Sequence, residues 1–137
     1  MSGAILCCVN DSAHARRAIA VAVELAAGLG RKLTFLLVNR ARPASGYPPI
    51  MAMSAGKAKE VLDIAVRYAE AQGVHGARPA LAEATDVADA ILRFAGENGA
   101  GHIVVGTGSP PFIGRLLLGS VSEAVVAGAT CCVTVAR

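Results

Sequence analysis

A glycine-rich stretch from Gly106 to Glu123 carries the residues best suited to chemistry in this chain. Glycines allow backbone amides to approach a phosphate closely. A helix beginning at Gly119-Ser120 would add unpaired N–H groups and the positive end of a helix dipole. Ser120 and Ser122 supply hydroxyl groups. These residue types in this order predict a phosphate-binding loop.

The same stretch is also open to a purely structural interpretation. Gly106-x-Gly108 lacks the third glycine of the dinucleotide fingerprint, and the P-loop-like spacing from Gly114 to Ser120 contains no lysine. Ser120-x-x-Glu123 has the form of a capping box, which stabilises the start of a helix without any ligand. The residues alone leave phosphate binding and helix capping as alternatives.

Length and composition bound the class of protein. The chain has 137 residues, of which 54% are hydrophobic and 17% charged, and its net charge is +3. This small surplus favours neither nucleic acid nor a membrane surface as a partner. Each apolar run is shorter than the roughly 20 residues of a membrane span, and Met1-Ser2-Gly3 lacks a signal-peptide layout. We expect one cytoplasmic domain over residues 1–137.

Four cysteines form two adjacent pairs, Cys7-Cys8 and Cys131-Cys132. Neither pair has the spacing of a redox motif or a zinc site, and no histidine stands at ligand spacing from them. We expect all four to be small apolar core residues in strands, and we expect no metal site.

Apolar periodicity predicts alternating strands and helices. The predicted strands are Ala4–Val9, Leu33–Val38, Pro79–Glu83, His102–Val105 and Cys131–Ala136. The predicted helices run from the Ser12 cap to Gly30, over residues 55–72, from Thr85 or Asp86 to the 96–101 region, and over residues 120–128, with a loop over residues 39–54. This βαβαβαβαβ order predicts an α/β fold with a single doubly wound parallel sheet, covered by helices on both faces.

In such a sheet, ligands bind beyond the carboxyl ends of the strands, where the strand order reverses. Three segments meet this condition in the predicted topology: Asn10 to Ser12, the stretch after Val38, and the loop after Val105. The phosphate-binding loop is one of the three. The sequence therefore predicts that these segments form one site.

Gly119-Ser-Val-Ser-Glu123, preceded by three leucines and by a glycine turn after Ile103-Val-Val, resembles the C-terminal motif of the universal stress protein family. The resemblance extends over the whole chain, from Ile5-Leu-Cys-Cys-Val-Asn-Asp-Ser12 to Cys132-Val-Thr-Val135. It implies a Rossmann-like, adenine nucleotide alpha hydrolase-like sheet of five parallel strands in the order 3-2-1-4-5, usually in a homodimer.

The resemblance also implies a nucleotide site, because many relatives bind ATP or AMP through Gly-x2-Gly-x9-Gly-[Ser/Thr]. Gly106 and Gly119-Ser120 match the ends of this pattern, but Ser109 stands at its second glycine and Gly108 lies one position early. Asn10 replaces a frequent aspartate. The implied nucleotide-binding residues are Val9, Asn10, Asp11, Ser12, Val38 beside adenine, Gly106, Thr107, Gly108, Ser109, Arg115, Gly119, Ser120, Val121 and Ser122.

We therefore expect a small cytoplasmic stress-response regulatory protein that binds ATP or AMP, with Mg²⁺ as a candidate companion of the nucleotide. The alternative is a dimeric adaptor of the same fold that binds no nucleotide, since Ser109 breaks the glycine pattern. No catalytic constellation is recognisable, so we expect no enzyme, with slow incidental ATP hydrolysis left open. The uncharged last strand, Cys131 to Ala136, predicts a homodimer through that edge.

Overall fold

In the computed structural model, residues 3–107 and 119–137 are described, the side chains of residues 13 and 14 excepted. Strands and helices alternate along this part of the chain. They are β1 Ala4–Cys8, α1 Ala13–Leu29, β2 Leu33–Ala44, β3 Tyr47–Met51, α2 Ala55–Ala71, β4 Arg78–Ala84, α3 Val87–Glu97, β5 Ala100–Gly106, α4 Ser120–Gly128 and β6 Cys132–Ala136.

Five of the strands form the predicted parallel sheet, in the order β4-β2-β1-β5-β6. The central strand β1 pairs with β2, where Cys7 lies opposite Phe35, and with β5, where Cys7 lies opposite Val104. Strands β4 and β6 complete the two sides through parallel pairing with β2 and β5. The predicted α/β class and the order of the parallel strands are confirmed. All five carboxyl ends therefore lie at one edge of the sheet.

The predicted loop over residues 39–54 is wrong in part, because it contains a β-hairpin. Strand β2 continues to Ala44 and pairs antiparallel with β3, so that Ala44 lies opposite Tyr47. Gly46 occupies the turn with a φ of 74°. Pro48 and Pro49 lie in β3, where a strand at the edge of a sheet tolerates proline because its outer N–H groups need no strand partner. Prolines that signal a loop here mark an edge strand.

The caps of the first two helices follow the expected chemistry. Ser12 caps α1 by accepting a hydrogen bond from the amide of Ala15, and Gly30 ends that helix in the left-handed conformation. Ser54 caps α2 through the amide of Lys57. Such side-chain caps satisfy N–H groups that have no acceptor within the helix.

Most other boundaries shift by only one to three residues. Asp86, rather than Thr85, caps α3, and its carboxylate accepts from the amide of Asp89 at 3.0 Å. Strand β1 ends one residue before the predicted Val9, and β6 begins at Cys132.

Two apolar layers fill the space between the sheet and its helices. On one face, Ile5, Phe35 and Leu37 pack with alanines of α1 and α2. Among these alanines, Ala22 and Ala65 have no exposed surface. Small side chains at these positions let both helices lie close to the sheet. Much of the alanine in this apolar sequence is used in this way.

On the other face, Leu6 and Leu36 of the strands pack with Ile91 of α3 and Val125 of α4. Residues of adjacent strands thus contribute alternately to the two layers, as strands buried on both faces must. No helix in the described ranges is long and apolar enough to cross a bilayer.

The expectation of four core cysteines holds for Cys7, which is fully buried, but is wrong for Cys132, which is exposed. Cys132 is the first residue of β6, the strand at one edge of the sheet, and no further strand covers it among the described residues. Burial raises the pKa of the Cys8 thiol to about 12 and raises that of Cys7 well above its ordinary value. Both thiols therefore stay protonated and unreactive near neutral pH.

The backbones of Gly3 and Gly101 approach each other closely at the amino ends of β1 and β5. A Cβ atom added to Gly101 would lie 2.9 Å from the Cα of Gly3, and one added to Gly3 would lie 2.4 Å from the nitrogen of Gly101. The obstacle in both cases is backbone, which a side-chain rotation cannot relieve. The pairing register between these strands also shifts at this point, between Ala4 and Ile5.

We expect Gly101→Ala to lower the free energy of unfolding by about 2 kcal/mol, because the added methyl forces the two strands apart. Gly28→Ala is the matched control: it lies in α1, where an added Cβ meets no atom within 4 Å. It should raise stability by about 0.5 kcal/mol through helix propensity. Urea denaturation measures both changes, and equal stability of the two variants would contradict the assigned close approach.

Candidate functional site

A cleft of about 440 Å³ opens at the carboxyl ends of β1, β2 and β5. This is the edge at which a doubly wound sheet binds ligands, and the volume lies within the about 300–1,000 Å³ typical of small-molecule sites. The described residues that line it are Cys8, Val9, Asn10, Ala15, Leu36, Val38, Asn39, Arg40, Ala52, Met53, Val87, Ile91, Val105, Gly106, Gly119, Ser120, Val121 and Ser122.

The end of β1 forms the floor of the cleft and turns at once into α1. The amide of Val9 donates to the carbonyl of Leu36 at 2.9 Å, which extends the strand pairing by one residue. Asn10 then leaves the sheet, exposed to solvent, and its side-chain oxygen accepts from the Ser12 hydroxyl at 2.5 Å. Because Ser12 also caps α1, this hydrogen bond orients the Asn10 amide at the mouth of the cleft.

Asp11 lies beside the cleft but does not line it. Its carboxylate is exposed and stands 3.7 Å from the ammonium of Lys57 in α2. An exposed pair of this kind contributes little to stability, but it places one positive and one negative group next to the turn after β1. Ser12 likewise serves the turn and does not contact the cleft directly.

The start of α4, whose first amides have no acceptor within the helix, lies at the cleft. The Gly119 amide donates to the carbonyl of Thr107 at 2.7 Å, and the first hydrogen bond within the helix runs from the Glu123 amide to the Gly119 carbonyl at 2.9 Å. The amides of Ser120, Val121 and Ser122 therefore have no acceptor within the helix. With the positive end of the helix dipole, they form a local environment that favours an anion.

The capping box predicted at Ser120-x-x-Glu123 is wrong. Gly119 occupies the cap position, with a φ of −66°, and no side chain caps the helix. Ser120 is instead the first helical residue, exposed and lining the cleft. Its hydroxyl is therefore not engaged in a cap, which removes the main structural alternative to ligand binding at this residue.

Ser122 behaves differently from Ser120. It is buried, and its hydroxyl oxygen lies 3.0 Å from the carbonyl oxygen of Gly119 and 3.5 Å from that of Thr107. The hydroxyl proton is thus directed to the backbone, so the side chain holds the helix start in place. Ser122 lines the cleft, and its backbone amide has no acceptor within the helix. Thr107 is also buried, and its carbonyl oxygen accepts the hydrogen bond from the Gly119 amide.

The rest of the cleft is largely apolar. Val38, midway along β2, is half-buried and packs in the same apolar layer as the buried Val105. These two side chains form a surface on which a flat, apolar ring can pack. The buried Val9 also lines the cleft, but its side chain packs in the opposite layer. The exposed Arg40, which follows on β2, places a guanidinium at the rim.

The structure brings most of the sequence-predicted residues together. Those that line the cleft are Val9, Asn10, Val38, Gly106, Gly119, Ser120, Val121 and Ser122, with Thr107 directly behind the helix start. Three others, Gly108, Ser109 and Arg115, lie outside the described residues. No group of three His, Cys, Asp or Glu side chains suited to a metal ion occurs in the described ranges.

Sequence reasoning placed the stretch after Val38 at the site but named none of its residues. In the structure this wall of the cleft is formed by Asn39, Arg40, Ala52 and Met53. These residues come from the extension of β2 and from the chain that follows the hairpin. The available signal was Asn39, a polar residue directly after the apolar run of β2. It is buried with only 3% of its surface exposed, and its side chain bonds to the backbone of Met53.

Comparison with known proteins agrees with this geometry. A profile described as the universal stress protein family matches residues 1–137. A search of curated protein sequences found no match. A solved protein of this family from Burkholderia pseudomallei is 30% identical, with a TM-score of 0.75, and the match covers 96% of this chain and 94% of that one.

Two solved structures of universal stress protein from Archaeoglobus fulgidus are each 25% identical to this chain. The first has a TM-score of 0.79 with both chains covered completely. The second, in complex with dAMP, has a TM-score of 0.73 with 98% of both chains covered. The strand order, the cleft and the family match together identify the chain as a member of the universal stress protein family.

Proposed function

We propose that this protein binds an adenine nucleotide, ATP or AMP, in the cleft at the carboxyl ends of β1, β2 and β5 and acts as a cytoplasmic stress-response regulator. The observation that carries the proposal is the start of α4, where the amides of Ser120, Val121 and Ser122 have no acceptor within the helix and face an otherwise apolar cleft. A ligand with an anionic group beside a flat ring fits these two features, because the amides favour the anion and the apolar side chains favour the ring. A universal stress protein 25% identical to this chain has been solved in complex with dAMP.

The described residues fit such a ligand in position and chemistry. Val38 and Val105 offer apolar contact to the base, and the helix start offers amide donors to the phosphates. Asn10 at the mouth offers both a donor and an acceptor, unlike an ionised aspartate, which only accepts. Arg40 adds a positive charge at the rim. A Mg²⁺ ion, where present, would be held chiefly by the phosphates of the nucleotide.

Binding without turnover is part of the proposal. Asp11, the carboxylate next to the turn after β1, is exposed and paired with Lys57, which leaves it poorly placed to accept a proton from an attacking water in the cleft. ATP hydrolysis well above background and abolished by Asp11→Asn would contradict this part of the proposal.

The content of the purified protein tests the proposal directly. The chain has no tryptophan and two tyrosines, so its own near-ultraviolet absorbance is weak. A co-purified adenine nucleotide should give an absorbance maximum near 260 nm, and mass spectrometry of the released small molecule should identify it. A spectrum without this maximum, together with no calorimetric signal for ATP, AMP or cyclic AMP, would favour the nucleotide-free adaptor.

Substitution at the helix start tests where the nucleotide binds. We expect Gly119→Leu to weaken AMP affinity by at least about tenfold, which corresponds to about 1.4 kcal/mol, because the side chain obstructs the approach of phosphate to the amides. The backbone at Gly119, with its φ of −66°, accepts any L-residue, so the variant should fold.

Gly96→Leu serves as the control for this substitution, since it lies in α3 where an added Cβ meets nothing within 4 Å. Isothermal titration calorimetry should give wild-type affinity for Gly96→Leu. Unchanged affinity of Gly119→Leu would place the nucleotide elsewhere.

The edge strand β6 is the proposed dimer contact. Among the described strands it pairs only with β5, and it carries no charged residue. Val133 and Val135 pack on the layer of α3 and α4, so substitutions there would damage the core as well as the edge. Cys132 is exposed and is the better position to probe. An uncovered apolar edge is prone to pair with another strand, and a second copy supplies one.

We expect Cys132→Lys to convert the dimer to a monomer, because a lysine on an edge strand opposes its pairing with another strand. Leu81→Lys is the matched control at the opposite edge: Leu81 lies on β4 and is 47% exposed. Light scattering at equal concentrations should find the Leu81→Lys variant dimeric. A monomer for Leu81→Lys with a dimer for Cys132→Lys would move the contact to β4.

A further inference from the structure

The side chain of Asn39 binds both backbone polar groups of one residue of the cleft wall. Its Nδ2 donates to the carbonyl of Met53 at 2.7 Å, and its Oδ1 accepts from the Met53 amide at 3.1 Å. Asn39 is only 3% exposed and Met53 is half-buried, so these hydrogen bonds are partly shielded from solvent. We call this pair of hydrogen bonds the Asn39 clamp. Hydrogen bonds shielded from water are costly to leave unmade.

The clamp sets the path of the chain between the hairpin and α2. Strand β3 ends at Met51, and the amide of Ala52 donates to the carbonyl of Arg40 at 2.9 Å. Met53 follows in the clamp, and Ser54 caps α2 immediately afterwards. Both Ala52 and Met53 line the cleft on the β2 side, across β1 from the start of α4. The clamp therefore fixes the wall that faces the phosphate-binding amides.

The clamp also determines what this wall presents to a ligand. The N–H and C=O groups of Met53 are both taken by Asn39, and the N–H group of Ala52 is taken by Arg40. The two N–H groups are then not offered to a nucleobase, and the Met53 carbonyl keeps only one lone pair for it. A ligand group that needs a hydrogen-bond partner at this wall would lose its water without replacement, which is unfavourable.

Resting on the proposed nucleotide-binding function, we propose that Asn39 is a specificity-determining positioning residue: the clamp keeps the Met53 wall fixed and its backbone polar groups occupied, which favours adenine over guanine. Guanine carries both a carbonyl oxygen and an amino group on its ring edges, whereas adenine carries one amino group. Guanine therefore has more polar groups than adenine that would lack a hydrogen-bond partner at this wall. Asn39 acts through Met53 and needs no contact with the nucleotide.

The test compares AMP and GMP binding to the full chain by calorimetry, in Asn39→Ala and Asn39→Asp. Both variants lose the donor to the Met53 carbonyl. We expect AMP affinity to fall by about tenfold in each. The preference for AMP over GMP should shrink, because Asn39→Ala frees both backbone groups of Met53 and Asn39→Asp frees its carbonyl for bonding to guanine. Hydrogen exchange at the Met53 amide should become faster in Asn39→Ala.

Asn98→Asp is the control with the same chemical change. The side-chain Nδ2 of Asn98 donates to the carbonyl of Phe94 at 2.9 Å. Asn98 is exposed at the end of α3 and does not line the cleft. It should keep both the affinity and the AMP preference of the wild type. Titrations are run below the lowest melting temperature of the set. If Asn39→Ala does not fold, Asn39→Asp carries the test through the preference for AMP over GMP alone, because its added charge acts on the phosphates of both nucleotides alike.

Three results would overturn the inference while leaving the proposed function intact. Asn39→Ala could bind AMP and GMP as the wild type does. Affinity could fall only in Asn39→Asp, which would assign the effect to its added charge. Both nucleotides could lose affinity equally, with an unchanged preference, which would make Asn39 merely structural. A wild-type protein that binds neither nucleotide would overturn the proposed function, and the inference with it.

Discussion

The hydrogen bond from the Gly119 amide to the Thr107 carbonyl, 2.7 Å long, is the contact on which the site depends. It joins Thr107, which follows β5, to Gly119, which caps α4, with eleven residues of chain between them. The buried hydroxyl of Ser122 lies against the carbonyl oxygens of these two residues. Together these contacts bring the amino end of a helix to the carboxyl edge of the sheet. Without that placement, the free amides of α4 would have no cleft to face.

On the opposite side of the cleft, a second set of hydrogen bonds between residues distant in the chain holds the wall in place. There the Asn39 clamp holds the chain that returns from the hairpin. Between the two sets of hydrogen bonds, β1 supplies the floor through Val9 and Asn10. Both sets of hydrogen bonds involve buried residues, namely Asn39 on one side and Thr107 and Ser122 on the other. A missing hydrogen-bond partner is costly for a buried polar group. The cleft is thus bounded on both sides by hydrogen bonds and on its floor by apolar strand residues.

The apolar composition has three physical sources in this fold. Central strands buried on both faces require continuous apolar runs, as in β1. Helices that pack closely on the sheet require small residues, and buried alanines supply them along α1 and α2. The third source is the edge strand β6, whose valines pack inward while Cys132 remains exposed. Only this last feature exceeds what the interior of one chain needs.

The alternation of strands and helices and the cleft edge at Asn10, Val38 and Gly119 can be derived from the sequence, because periodicity, caps and glycines act between residues close in the chain. The order of the parallel strands came only through the family resemblance. Only the tertiary structure decided that residues 39–54 form a hairpin rather than a loop and that Gly119, rather than Ser120, caps α4. It also decided that Asn39 reaches Met53, fourteen residues away. The physical reason is that prolines tolerated on an edge strand resemble those of a loop, and a cap or a clamp depends on partners that only folding brings within hydrogen-bond distance.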